Sequence, residues 1–193
     1  QFMSKTDEEL MRDFQRGDEA AFAVLYNRYR VLIYRFLARK ISSPTRAEDL
    51  TQEVFMAVVQ HAREWREEAS VKTYFYRIAF NRAVSELRRS EHKVMVAEQD
   101  HDSEDGPPPK EAVSTDSPAQ DYETRERARL VREALKEIDP DFRDAILLKE
   151  YEELKYEEIA EILNVAVGTV KSRIFRGKLE LKRLANSSVS RCK

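Results

Sequence analysis

The chain has 193 residues, 36% of them charged, and only 4 glycines. That length allows one large domain or two small ones, and scarce glycine with few β-branched runs favours an all-α fold over sheets. The single cysteine, Cys192, excludes an internal disulfide and makes a cytoplasmic location the expectation.

His61, His92 and His101 are scattered without metal-ligand spacing, so neither a metal nor another cofactor is expected. No phosphate loop, nucleophile–base set or paired-carboxylate constellation points to an enzyme. No apolar run approaches a membrane span and no signal peptide is visible; Gln1 and Phe2, ahead of Met3, are expected to stand outside the fold. The formal net charge of −2 is unevenly divided. Residues 97–121 hold eight acids against the one base Lys110, a local charge of −7, so the remainder carries +5.

In chain order, Thr6 and Glu9 form a capping box for a first short helix. Gly17 and Asp18 break the chain, and Asp18 is the predicted cap of a helix over Glu19–Lys40. Its apolar stripe is Phe22, Leu25, Tyr29, Leu32, Ile33, Phe36 and Leu37. Ser42, Ser43 and Pro44 end it, and a second capping box, Thr45 with Glu48, is expected to open a helix to about Arg63. Leu50, Val54, Ala57 and Val58 face inward there. Asp49, Gln52 and Glu53 fall on the opposite face, a polar patch suited to docking against another protein or simply to solvation.

A further helix is predicted over Val71–Ser90, with Phe75, Ile78, Ala79 and Leu87 apolar. Aromatic and basic residues interleave along it: Tyr74, Phe75, Tyr76, Arg77, Phe80, Asn81, Arg82, Arg88, Arg89 and Lys93. Such a mixture suits holding an unpaired base by stacking while cations track phosphates, with ~1–3 kcal/mol per stacked base. Each ring taken singly is better assigned to core packing, Phe75 above all. Arg77, Asn81, Arg82, Arg88 and Arg89 are the stronger functional candidates.

The stretch that follows carries Pro107, Pro108, Pro109 and Pro118 with dense negative charge and few large apolar residues. It cannot bury enough surface to offset chain entropy and reads as a flexible, extended acidic linker over 96–121. It separates a helical domain at 4–95 from a second at 122–186. The second domain is predicted to begin with a helix from about Tyr122 to Ile138, ended by Asp139. Pro140 then opens a helix through Tyr151. Residues 186–193 read as a frayed tail.

Tyr156–Leu184 is the most informative segment. Ile159, Ala160 and Leu163 share one apolar face, and Asn164 suits the left-handed backbone of a tight turn. Val165 and Val167 are expected under that turn, and Thr169 to cap a second helix that turns Val170 and Ile174 inward. Lys171, Ser172, Arg173, Arg176 and Lys178 then point outward. From Lys171 to Arg183 six bases face one acid, Glu180. This is the pattern of a helix-turn-helix whose second helix enters the DNA major groove, where Arg pairs with guanine and Lys or Ser holds phosphate.

Four stretches in order, Gly17–Tyr29, Ala47–Val59, Tyr74–Arg89 and Gly168–Leu184, resemble bacterial RNA polymerase sigma factors of the extracytoplasmic-function (ECF) group. The resemblance covers about Thr6 to Ala185. It implies that the first domain corresponds to region 2 and the second to region 4, with core RNA polymerase and promoter DNA as partners and an anti-sigma factor besides. It implies that Asp49, Gln52 and Glu53 bind core polymerase, and that Arg77, Asn81, Arg82, Arg88 and Arg89 serve the −10 element. Asn81 matches the family's asparagine on a flipped base. Lys171, Ser172, Arg173, Phe175, Arg176 and Lys178 would serve the −35 element, Lys178 through the backbone.

Two departures stand out. Tyr74-Phe75 replaces the family's common tryptophan-leucine, and Arg176-Gly177-Lys178 replaces its arginine-alanine-arginine. Gly177 is expected to cost ~1 kcal/mol of helix propensity relative to alanine. Geometry suits a bipartite reader: boxes two helical turns apart lie ~70 Å from one another, and 25 tether residues at ~3.3 Å each span ~80 Å. Two other functions stay open: a sigma-mimicking protein that titrates an anti-sigma factor, and a simple helix-turn-helix regulator. The mimic would have no reason to keep Asn81, Arg173 and Arg176.

Overall fold

The computed structural model describes residues 5–41, 43–97, 129, 131 and 133–191, with backbone alone at 91–97 and 185–191. All regular structure among the described residues is helical. The chain divides into two units, Gln1–Lys110 and Glu111–Lys193. The acidic stretch 98–121, with the predicted start of the helix at Tyr122, lies outside the described residues.

In the first unit, α1 spans Asp7–Gln15 and α2 Glu19–Lys40. Both predicted caps form: Glu9 N–H donates to Thr6 Oγ1 at 3.2 Å, Thr6 N–H to Glu9 at 2.8 Å, and Ala20 N–H to Asp18 at 3.0 Å. Gly17, at φ 102°, makes the turn between them. α3 spans Pro44–His61, but its cap is Ser43, not Thr45. Pro44 lacks the N–H that a first-turn position cannot use anyway, so the helix starts there and Thr45 falls inside it. A 3₁₀ turn, Ala62–Glu64, leads to α4, Val71–Ala97, which outlasts its predicted end at Ser90. Glu8 of α1 accepts from Val71 N–H at 3.3 Å, and Ser70 Oγ from Thr73 N–H at 3.0 Å, so α4 is capped partly by another helix.

α4 packs against α2 and α3 through aromatic rings. Phe75 stacks on Tyr29, centroids 4.7 Å apart, and meets Phe55 edge-on at 5.5 Å; Tyr76 meets Phe36 edge-on at 5.4 Å. Tyr29 is additionally held by Asp7, which accepts from its hydroxyl and from Arg28 Nη1. Burial and that hydrogen bond raise the Tyr29 phenol far above its ordinary range. Leu32, assigned to the inward stripe of α2, is 39% exposed. Ile33 already fills the buried direction, so its neighbour is turned away. Ile78 and Leu87 are half-buried rather than core.

In the second unit, α5 is helical at 129, 131 and 133–137, and α6, Pro140–Ile146, opens at Pro140 as expected, with Asp139 as its cap. A π-helical turn, Leu147–Tyr151, continues α6, and Glu153 just beyond it has φ 55°. α7 is Tyr156–Leu163 and α8 is Val167–Arg191. Asn164 adopts the left-handed conformation, φ 53° and ψ 50°, and Val165 N–H closes onto Ala160 O at 3.0 Å. Ile159 and Ala160 are buried as expected; Ile162 is buried with them, while Leu163 is half-buried. Val165 and Val167 are half-buried. Thr169 does not cap α8, which begins two residues before it. The predicted frayed tail continues α8 to Arg191.

The missing side chain of Gly177 allows a close approach that opposes its expected penalty. The residue is buried where α8 crosses α6, and a Cβ there would come within 2.6 Å of Ile146 Cδ1 and 3.0 Å of Phe142 Cβ. Overpacking costs ~1–3 kcal/mol, against ~1 kcal/mol gained from alanine's propensity. Gly177→Ala should therefore lower stability by about 1 kcal/mol in chemical denaturation. Adding Ile146→Val, which deletes the closest atom, should leave Gly177→Ala less costly than in the parent. A more stable Gly177→Ala protein would contradict this packing account.

Candidate nucleic-acid interface

The candidates on α4 separate into two stripes. Phe75, Ala79 and Ala83 form the buried line. At 3.6 residues per turn, Arg77, Asn81 and Arg88 fall on the opposite side, Arg82 and Arg89 lie about a third of a turn from them, and Glu86 lies close to the buried line, where it meets Arg46 of α3. Asn81, Arg82, Arg88 and Arg89 are exposed and Arg77 is half-buried, its guanidinium 5.7 Å from the Tyr74 ring centre. The rings do not share this exposure. Tyr74, Phe75 and Tyr76 are buried, and Phe80 is half-buried beneath Lys40 Nζ at 4.9 Å. The Tyr74 hydroxyl donates to His61 O at 3.1 Å, and burial pushes its phenol above the ordinary range. Among Tyr74, Phe75, Tyr76 and Phe80, none is fully displayed for stacking, so α4 offers cations and an amide instead.

On α3, Asp49 and Gln52 are exposed on the side away from the buried Leu50, Val54, Ala57 and Val58, and Glu53 is half-buried at the flank that meets α4. Two apolar residues share the outward side, Met56 at 61% and Val59 at 46% exposure. Helical phase from Gln52 through Met56 to Val59 could have revealed them. Arg46 pairs with Asp49 at 3.7 Å and Glu53 at 3.1 Å, and reaches Glu86 of α4 at 2.8 Å. The Glu86 hydrogen bond raises the Arg46 guanidinium above its already high ordinary value.

On α8, Val170, Ile174 and Gly177 face inward. Ser172, Phe175, Arg176 and Leu179 form the centre of the outward face, with Lys171 and Lys182 beside them. Phe175 and Leu179 are 66% and 55% exposed, a turn apart. Arg176 makes no ion pair among the described residues. Arg173 and Lys178 lie on the two flanks of this face, and each is engaged by an acid of the same unit. Arg173 donates to Asp141 at the start of α6, leaving its side chain 20% exposed, and Lys178 meets Glu150 at 2.7 Å. Arg173 is thus not freely displayed, whereas Lys171, Ser172, Phe175 and Arg176 are exposed and Lys178 keeps 54% of its side chain exposed beside Glu150. Leu179 joins that face; its exposure follows from Phe175 at one-turn spacing.

Among the described residues no helix is long and apolar enough to cross a membrane, and no cluster of three or more His, Cys, Asp or Glu could hold a metal.

Sigma-70 region 2 matches residues 25–93 and sigma-70 region 4 matches residues 128–181. The RNA polymerase sigma-H factor of Pseudomonas aeruginosa is 32% identical over 179 residues, covering 89% of this chain and 90% of that protein. The ECF RNA polymerase sigma-E factor of Haemophilus influenzae is 34% identical over 177 residues, covering 90% and 92%. In fold, the chain is similar to the sigma factor RpoE of Bartonella quintana, solved with the anti-sigma factor NepR (TM-score 0.69, 23% identity, covering 86% of this chain and 96% of that one). Two region matches in order, together with relatives similar along almost their whole length, make this chain a member of the ECF group of sigma-70 RNA polymerase sigma factors.

Proposed function

We propose that this chain is an alternative sigma factor, a non-catalytic cytoplasmic subunit that binds core RNA polymerase and directs promoter-specific initiation. The observation that carries the reading is the pair of outward faces on α4 and α8, in a chain whose relatives are ECF sigma factors. Asn81 with Arg77 and Arg88 lies opposite the buried side of α4, and Ser172, Phe175 and Arg176 lie outward on α8. Residues 4–95 would carry core binding and −10 recognition, 96–121 would tether, and 122–186 would read the −35 element. Asp49, Gln52 and Glu53, with Met56 and Val59, would meet core polymerase. A protein merely mimicking a sigma factor would need neither outward face, and an operator-binding regulator would leave the first unexplained.

On the −10 side, Asn81 would read an unpaired base, while Arg77, Arg82, Arg88 and Arg89 would hold the strand's phosphates. On the −35 side, Arg176 suits bidentate pairing with guanine, Phe175 apolar contact with a thymine methyl, and Lys171 and Ser172 phosphate. Arg173 and Lys178 would reach phosphate only by leaving Asp141 and Glu150. A related sigma factor is solved with an anti-sigma factor, and a partner of that class is part of the proposal.

The decisive experiment is run-off transcription with purified core polymerase, which should yield promoter-specific transcripts; their absence at every genomic promoter tested would end the proposal. Arg176→Ala should cost about 1–3 kcal/mol at one specific base pair, and an unchanged sequence preference would make it a phosphate contact. Asn81→Ala should weaken open-complex formation while −35 duplex binding stays intact, and equal loss of both would mark a structural side chain. Asp141→Asn should release Arg173, so the slope of log affinity against log salt on −35 duplex should steepen by about 0.9. An unchanged slope would mean that Arg173 stays turned from DNA without its partner.

A further inference from the structure

An alternating-sign set of charges joins α3 to α4 in the first unit. Arg46, in the first turn of α3, reaches Glu86 of α4 at 2.8 Å through Nη2 and Glu53 at 3.1 Å through Nη1. The second carboxylate oxygen of Glu53 lies 3.7 Å from Arg82 of α4. Glu53 is the single ionic partner of Arg82 among the described residues. Glu53 therefore stands between a cation of its own helix and one of the arginines proposed to hold the promoter strand. The residues differ in how firmly they are placed: the Glu86 side chain is 17% exposed and that of Arg46 27%, against 46% for Arg82.

A carboxylate shared by two cations holds each less tightly than it would hold one, because the first cation offsets much of its charge. Arg46 is the nearer of the two and is itself anchored by Glu86. Its presence leaves Arg82 loosely held and able to exchange Glu53 for a phosphate. Without it, the whole charge of Glu53 would fall on Arg82 and draw that side chain onto α3.

We infer that Arg46 is a positioning residue: by occupying Glu53 it keeps Arg82 available to the promoter strand, and so sets the polymerase-facing acids of α3 against the strand-facing bases of α4. This rests on the proposed function, and takes the network beyond that of a staple between two helices. A staple and a positioning residue differ in sign when Glu53 is neutralised. Loss of Glu53 weakens a staple further; in the arrangement inferred here it frees Arg82.

The test uses full-length protein assembled with excess core polymerase and a fluorescent single strand carrying the −10 sequence of a promoter active in run-off transcription. Arg46→Gln should weaken strand binding about two- to fivefold, the scale of one exposed ion pair. Arg46→Lys should retain most of the affinity. Glu53→Gln alone should tighten binding about twofold, and Arg46→Gln with Glu53→Gln should recover at least the parent affinity. A double variant weaker than Arg46→Gln would overturn the inference, as would a Glu53→Gln variant that binds the strand no more tightly than the parent. Should Arg46→Gln fail to fold, as thermal melting would reveal, the Glu53→Gln result decides alone. A parent holoenzyme without promoter-specific transcripts would remove the proposed function itself, an outcome distinct from an active parent whose variants lose affinity in sum.

Discussion

Burial of Phe75 and Tyr76 governs the first unit. These adjacent residues of α4 engage different partners, Phe75 stacking on Tyr29 and meeting Phe55, Tyr76 meeting Phe36. Between them they fix α4 to both α2 and α3. Truncating either ring would cost ~3–5 kcal/mol, a large part of a domain stability of ~5–15 kcal/mol. Helical periodicity turns this packing constraint into a functional one. With Phe75, Ala79 and Ala83 inward, Arg77, Asn81 and Arg88 have no other direction to face. The interaction that holds the unit together also aims its polar stripe.

The second unit is governed by close approach. Asn164 reverses the chain within a single left-handed residue, and Gly177 lets α8 settle against Ile146 and Phe142 of α6. Both features place the helix rather than touch a ligand. The outward residues of α8 then follow from which side is buried, and its two flanking cations are taken up by acids from α6 and from the π-helical turn.

Features set by neighbours along the chain were legible in the sequence, and those set by contacts across it were not. Thr6 and Asp18 cap as expected because a cap joins a side chain to backbone two or three residues away. Asn164 was legible for the same reason. Thr45 was misassigned because the Pro44 position outranks a good capping pattern one residue later. Leu32 fitted the stripe of α2, but Ile33 beside it fills the buried direction. Propensity alone makes Gly177 a weakness, because the contact that needs it is with Ile146, thirty-one residues earlier. Arg173 likewise looked free because Asp141 is remote in sequence. The family resemblance located the candidate faces, and the exposure of Met56, Val59 and Leu179 follows from helical phase alone.

The internal pairing of Arg173 and Lys178 has a kinetic consequence. Non-specific attraction to nucleic acid grows with the number of cations free to displace condensed counterions. A helix whose flanks are neutralised by acids of neighbouring elements, with Arg176 making no ion pair among the described residues, clings less to arbitrary duplex. Residence on wrong sites shortens, and more of a chromosome can be surveyed in a given time.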